Sequence, residues 1–379
     1  MSGPLTGLKL VEVAGIGPGP MAAMMLGDLG ADIIRVDRVN PNTPARYADP
    51  KYNVHGRSRR SIAVDLQKPG GAEVVLRLAD KADGLMEPFR PGVAERLGIG
   101  PELALKRNPK LVYGRMTGWG QEGPLAKAAG HDINYIALSG ALHAIGPRER
   151  PVPPLNLVGD FGGGGMLLAF GMVCALFESS RSGKGQVVDA AMVDGTAALL
   201  GGAIGMAAAG IWDLNRESNF VDGGAHYYGT YETKDGKFVC IGSIEPQFYK
   251  LLLEKTGLAG ADLPPQLDKT TWPQMKERFA GIFRSKTRDE WCAIMEGTDI
   301  CFAPVLTMEE APSHPHAKAR NAYVDIDGVM QPNAAPRFSR TPGQVRAAPV
   351  RGAHTDDVLV AHGFSADEIK SLHAEKVIA

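Results

Sequence analysis

Cysteine is scarce in this chain of 379 residues: four in all, Cys174, Cys240, Cys292 and Cys301, scattered and with no C-x-x-C pair. That spacing excludes a disulfide framework and fits a reducing compartment. Charge of one sign is lacking too, since 41 Lys and Arg stand against 42 Asp and Glu for a net charge of -1. A nucleic-acid scaffold or a polybasic membrane binder is not expected from such a balance. No long hydrophobic run is present, the longest, at residues 165–177, falling short of the ~20 apolar residues a helix needs to cross a bilayer. The start, MSGPLTGLKL, has no charged segment followed by an apolar one, and the end, AEKVIA, is not an S-K-L address. These absences lead to the expectation of a soluble, cytoplasmic protein.

Several catalytic signatures are missing as well. There is no G-x-S-x-G elbow, no G-x-x-x-x-G-K-[ST] phosphate loop and no H-E-x-x-H, and His314-Pro315-His316 lies in a proline-broken loop. Neither a serine hydrolase nor a metal centre is expected. What the chain has in quantity is glycine and proline, 47 and 27 residues, spread among periodic segments as ordered turns would be.

Up to about residue 190, strand-like and helix-like segments alternate, which predicts a parallel α/β layer. The expected strands are 8–13, 32–36, 61–66, 84–86, 111–116 and 186–189, and the expected helices 21–29, 70–81, 131–142 and 165–180. A buried helix is expected at 192–210. From residue 223 the pattern changes: HYYGTYETKDGKFVCIGSI alternates about Asp235-Gly236 as a hairpin does. Helices are then expected at 247–256 and 272–283. The remainder reads as a return segment with one terminal helix.

The first unit contains VAGIGPGPMAAMMLGDLGADIIRVDR, which has the outline of a dinucleotide-binding turn. In that fingerprint the third glycine would fall at Pro20, and neither Pro18 nor Pro20 has an N–H for a pyrophosphate. A βαβ unit is expected here, without a nicotinamide cradle.

Three stretches carry side chains suited to acid–base chemistry. In AAGHDINYIALSGALHAIG, His131, Asp132 and Asn134 crowd the start of an expected helix, where a proton carrier would lie beside open backbone N–H groups. In PVPPLNLVGDFGGGG, Asp160 sits between a proline-fixed segment and four glycines that would let a ligand approach. In GSIEPQFY, Glu245 follows a strand. Each of the three acids could equally be a helix cap. Arginines recur at expected strand ends (Arg35, Arg38, Arg57, Arg59, Arg60, Arg90, Arg96), with Lys68 nearby, and several could converge on a polyanion outside the carboxyl ends of the sheet.

Ten segments taken in order resemble family III CoA-transferases of the CaiB/BaiF type: GADIIRVDR, EPFRPGVAERLGIG, MTGWGQEGP, AGHDINY, LVGDFGGG, GKGQVVDAAMVDG, IEPQFY, APVL, PRFSRTPG and GAHTDDVL. GHDINY and IEPQFY are similar to the alpha-methylacyl-CoA racemase branch. The resemblance implies an α/β fold: a Rossmann-like large domain with a parallel sheet plus a smaller α+β domain, in an interlocked homodimer whose active site is shared between subunits. The corresponding segments are 1–190 for the first part of the large domain, 191–224 for a linker helix, 225–310 for the small domain and 311–379 for the return.

It also implies racemisation of 2-methylacyl-CoA thioesters through an enolate. His131 and Asp160 would exchange the proton, with Asp132 and Glu245 in support and Glu245 coming from the other chain. The alternative is CoA transfer between carboxylic acids through an acyl group on Asp160. CoA contacts carried over are Arg38, the segment Val64, Asp65, Leu66 and Gln67, then Pro88, Phe89 and Arg90, Arg96, and the turn Gly130, Asn134 and Tyr135. Lys68 is displaced by one residue from the place where relatives carry a lysine. Ile16, Met192, Met206 and Ile244 would give an adaptable wall for the acyl chain. No cofactor is expected beyond the CoA of the substrate, and no nucleic-acid or membrane partner.

Overall fold

The computed structural model describes residues 3–40 and 49–379, and its chain divides into two compact units. One consists of Gly140–Pro154 with Leu200–Lys318, and the other of the remaining residues. In this larger unit there are six strands among the described residues: β1 (Lys9–Val13), β2 (Asp32–Asp37), β3 (Arg60–Ala63), β4 (Gly84–Glu87), β5 (Val112–Thr117) and β6 (Gln186–Ala191). Their order is β3-β2-β1-β4-β5-β6 and every neighbouring pair is parallel. β4 and β5 are buried at every residue, because helices cover both faces of a parallel sheet.

Alternation along the strands feeds two apolar layers. Val11, Ile34, Ile62 and Leu85 face one side with Leu78 and Val358. Leu10, Ile33, Met86 and Val112 face the other with Leu168 and Met172. The strand order reverses between β1 and β4, and in such sheets a ligand crevice opens beyond the carboxyl ends at that reversal. Gly15, just past β1, is packed so closely on the other lip that a Cβ there would lie 2.5 Å from Pro88 Cγ.

The edge strand β3 is capped by the return segment. Ser61 N donates to His354 Nδ1 (3.2 Å) and Ala63 N to Thr355 Oγ1 (3.2 Å), so the GAHT stretch occupies an edge that would otherwise be open for pairing. The return segment holds three α-helices, Pro315–Ala319, Thr355–Ala361 and Ala366–Ala374, where one was expected, and a hairpin of β10 (Tyr323–Ile326) and β11 (Val329–Pro332) after the smaller unit. That hairpin escaped the sequence reading because its strands are only four residues long.

The expectation about hydrophobic runs needs correction. A wide-turn helical segment, Leu157–Met166, runs straight into the helix Leu167–Ser182. Together they make 26 residues, long and apolar enough to cross a membrane by length and composition. Here the helix packs on β5 and β6 as part of the α/β layer. The glycines explain its seating: a Cβ on Gly163 would lie 2.6 Å from Thr196 Oγ1, and one on Gly164 would lie 2.8 Å from Met192 Cγ. Those glycines admit a neighbouring helix, Met192–Leu199, rather than a ligand.

The smaller unit carries an antiparallel sheet of β7 (Tyr228–Glu232), β8 (Phe238–Gly242) and β9 (Phe302–Val305). Gly236 takes the left-handed conformation (φ 70°) in the turn between the first two. Helices Pro246–Lys255, Trp272–Phe283 and Arg288–Met295 pack about an aromatic core of Tyr227, Tyr231, Trp272, Phe279, Phe283 and Trp291. The buried helix expected over 192–210 is two helices, Met192–Leu199 and Gly201–Ala208, and the second has no buried residue. Its apolar content comes from small Ala and Gly with an exposed Ile204, a composition that reads as core yet is left uncovered by this chain.

Candidate active site

Asp160 lies in the first turn of the wide helix, where Phe161 N bonds back five residues to Asn156 O (3.3 Å). Such turns recur at functional sites. The plain N-cap reading is corrected, since Asp160 is inside the helix and its carboxylate is bound from outside the backbone. Asn156 Nδ2 donates to Asp160 Oδ2 (3.1 Å). Asp160 N donates to Asp132 Oδ1 (2.6 Å), so Asp132 caps this turn rather than its own helix. Gly17, at φ 72°, brings the β1 turn against the same carboxylate: a Cβ there would lie 3.4 Å from Asp160 Oδ2.

Burial pushes the Asp160 carboxyl above its ordinary range; the Asn156 amide opposes this, the Asp132 charge adds to it and His131 opposes it. The four groups therefore form one electrostatic cluster. His131 stands at the start of helix Asp132–Leu138 in extended backbone geometry, with an exposed side chain. Asn134 Oδ1 accepts from His131 N (3.0 Å). The N–H of Asp132 takes no partner among the described residues, as expected for a first-turn donor. Asp132 Oδ2 is buried and also without a hydrogen-bond partner. The helix stops at Leu138, shorter than the expected 131–142, and Gly140 (φ 92°) separates it from Ala141–Ala144.

The turn carrying His131 is shaped by aromatic packing. The Tyr135 and Trp119 rings meet edge to face, centroids 4.7 Å apart. A Cβ on Gly118 would lie 2.0 Å from Tyr135 Cζ, and one on Gly130 would lie 2.7 Å from its Cε1. Tyr135 is thus buried, and burial raises its hydroxyl pKa while the Arg90 charge lowers it.

The expected CoA contacts follow β2, β3, β4 and β5 at their carboxyl ends, but they differ in what they offer. Arg38, Arg90 and Arg96 are exposed, and their side chains have no ion-pair or hydrogen-bond partner among the described residues. Val64 and Leu66 point into the core, and Val64 N already bonds Asp37 O (2.8 Å), so neither side chain faces a ligand. Asp65 Oδ1 holds Gln67 N (3.0 Å), and Gln67 itself is exposed. Lys68 Nζ donates to Glu375 O (2.7 Å), which ties this turn to the C-terminal segment. Phe89 packs on the core beside Pro88, and its N–H bonds Glu87 Oε2 (2.6 Å). Glu87, buried beneath this turn, is pushed up to about 7, chiefly by burial, against the pull of Phe89 N–H and Arg115.

Four of the arginines considered for a polyanion are committed elsewhere. Arg57 pairs with Asp28, Arg59 with Glu12, Arg60 with Asp32, and Arg35 with Glu12 and Asp37. Arg59 also holds the carbonyls of Pro20 and His55. Arg57 and Arg59 fasten the loop before β3 to β1 and its helix, while Arg60 and Arg35 tie β2 to β3 and β1. Of the expected acyl wall, Ile16 is 85 % exposed beside Gly17. Met192 is buried against the glycine helix and is core. Met206 and Ile244 are partly buried in the smaller unit.

Glu245 also belongs to the smaller unit. It precedes helix Pro246–Lys255, but its side chain makes no cap hydrogen bond and is exposed. The capping alternative is corrected there too. Asn156 was missed in the sequence because PVPPLNLVGD reads as an extended proline segment; only the i, i+4 spacing of Asn156 and Asp160 signals the pair, and only if the segment is helical.

The family model described as CoA-transferase family III matches residues 5–355. The chain belongs to CoA-transferase family III. Among curated relatives it is 47 % identical to the mouse (Mus musculus) protein named alpha-methylacyl-CoA racemase, over 99 % of this chain and 97 % of that one. It is 45 % identical to the human (Homo sapiens) protein of the same name, again over 99 % and 97 %. Other family members bear transferase names, such as the human succinyl-CoA:glutarate CoA-transferase at 27 % identity over 94 % of this chain and 85 % of that one. Among solved structures, a CAIB/BAIF family protein from Brucella suis aligns with a TM-score of 0.83 at 25 % identity, covering 96 % of this chain and all of that one.

Proposed function

We propose that this member of family III is an isomerase that interconverts (R)- and (S)-2-methylacyl-CoA thioesters by 1,1-proton transfer, in fatty-acid and lipid metabolism. The observation that carries the reading is the Asp160 cluster: a carboxyl of raised pKa that accepts from Asn156, with the Asp160 backbone N–H held by Asp132 and His131 within electrostatic reach. The near-full-length likeness to proteins named for this activity supports it.

Inverting a carbon next to a thioester requires a base on one face and an acid on the other. An imidazole titrates near neutrality, and a carboxyl raised by burial can retain a proton there. His131 would take the proton of one enantiomer while Asp160 returns one to the opposite face, and the roles reverse for the other enantiomer. The unpaired N–H of Asp132 would receive the thioester oxygen as the enolate forms; removal of one such donor costs about 3 kcal/mol of barrier. Gly17 lets the β1 turn close over Asp160 and presents Ile16 to the acyl chain. Arg38, Arg90 and Arg96, whose side chains have no ion-pair or hydrogen-bond partner among the described residues, would hold the phosphates of CoA. CoA is part of the substrate, and no separate cofactor enters the proposal.

The working form would be an interlocked homodimer, in which Glu245 of one subunit reaches His131 of the other, orients its ring and favours its charged form. Exposed Phe170, Val173 and Phe177, spaced along one face of Leu167–Ser182, supply apolar surface for association. A cytoplasmic location suits the four unpaired cysteines.

The deciding experiment incubates each enantiomer of a 2-methylacyl-CoA with the protein in deuterated water. Deuterium should enter the α position from both enantiomers. His131→Ala and Asp160→Ala should each slow exchange at least about a hundredfold while CoA-ester binding persists. CoA appearing on an added free acid, with no α-deuterium, would identify the transferase instead.

A further inference from the structure

Glu245 ends a passage that belongs to neither sheet nor helix. Ser243 and Ile244 follow β8 and precede Pro246–Lys255, and most of the backbone polar groups there find local partners. Ser243 N donates to Tyr227 O (2.9 Å), Ile244 N to Gly242 O (2.9 Å), and Tyr249 N to Glu245 O (3.0 Å). The carbonyls of Ser243 and Ile244 remain. Both accept from a single atom, Gln266 Nε2, at 3.0 and 2.8 Å. Two acceptors fix which way the carboxamide faces, since only its nitrogen can donate. Gln266 is anchored in turn at its backbone, because the Trp272 indole Nε1 donates to its main-chain carbonyl (2.8 Å) and Trp272 is part of the buried aromatic core.

We propose that Gln266 is a positioning residue for Glu245, a clamp that transmits the rigidity of the aromatic core to the residue just before the exposed carboxylate. The inference rests on the reading of Glu245 as the acid that orients His131. The chemistry explains the residue type. A leucine of similar shape would leave two carbonyls without their donor, and a glutamate would set acceptor against acceptor. The passage would then move, and a misplacement of about 1 Å in a catalytic group costs rate far more than binding.

The test compares α-proton exchange in the full-length dimer for Gln266→Leu, Glu245→Gln and the double variant, across pH. Gln266→Leu should lower kcat about tenfold with KM within about twofold. It should displace the imidazole-linked acidic limb to lower pH, as Glu245→Gln does, because less negative charge reaches the imidazolium. In the double variant the loss should equal that of Glu245→Gln alone, the signature of one residue acting through another. Multiplied losses, or a lower kcat without a displaced limb, would overturn the clamp and leave Gln266 a stability residue. An unchanged Glu245→Gln would instead overturn the reading beneath it. Gln266→Met, which keeps the length and also lacks donors, carries the same expectations should the leucine variant fail to fold.

Discussion

At the scale of single residues, the balance of effects on Asp160 decides how the site works. Burial raises its pKa, and the Asn156 amide, 3.1 Å from Oδ2, is the main group that restrains the rise. Replacing Asn156 by leucine removes a donor to the ionised form and should raise that pKa further. The sign differs with direction of reaction. Where Asp160 must take a proton, the acidic limb of kcat/KM moves to higher pH and activity below it falls. Where Asp160 must give one, the alkaline limb moves to higher pH and the active range widens. Separate pH profiles of deuterium incorporation from each enantiomer check this, and profiles superimposable on those of the unmodified protein would rule out the Asn156 contribution. Neither the hydrogen bond nor its consequence was legible in the sequence, because both depend on a five-residue helical turn that Pro151, Pro153 and Pro154 disguise as extended chain.

At the scale of elements, the strands of the large sheet were readable as short segments alternating with helix-like ones, most plainly the Val- and Ile-bearing KLVEV and DIIRVD. The role of the arginines around β3 was not. Arg57, Arg59 and Arg60 look like a phosphate-binding set in one dimension, yet their partners Asp28, Glu12 and Asp32 lie 28 to 47 residues earlier. Only the fold brings them together. Arg57 is 1 % exposed and grips Asp28 through Nε and Nη2, while Ser58 Oγ donates to the same carboxylate and Gln331 Oε1 of β11 accepts from Nη1. This network joins the end of the first helix, Pro18–Asp28, to β3 and the return hairpin. Arg57→Met should therefore destabilise by about 3–5 kcal/mol, because it strands a buried carboxylate. Adding Asp28→Asn should recover part of the loss, which denaturant midpoints of the single and double variants would show. Equal midpoints for Arg57→Met and the parent chain would mean that water reaches Asp28.

At the scale of the whole molecule, the likeness to family III and the six-stranded sheet fix the fold, and Gly15 beyond β1 packs closely on Pro88 beyond β4 where the strand order reverses. The placement of His131, Asp132 and Asp160 in the larger unit and Glu245 in the smaller one turns the proposed sharing of sites between subunits into a question of arithmetic. His131→Ala and Glu245→Ala, expressed apart, each spoil both sites of a dimer. When they are co-expressed, half of the dimers are mixed. If Glu245 serves the other subunit, a mixed dimer has one doubly altered site and one fully intact site. Random assortment then gives about one quarter of the unmodified activity. If Glu245 serves its own subunit, no site is intact and only the residual rate of the Glu245→Ala sites remains; for a tenfold effect that is about one twentieth. The two outcomes differ about fivefold in a single exchange assay on the whole dimer pool, purified through one tag common to both chains. Activity at the lower level would place Glu245 beside the His131 of its own chain, and the crossed arrangement would have to be given up.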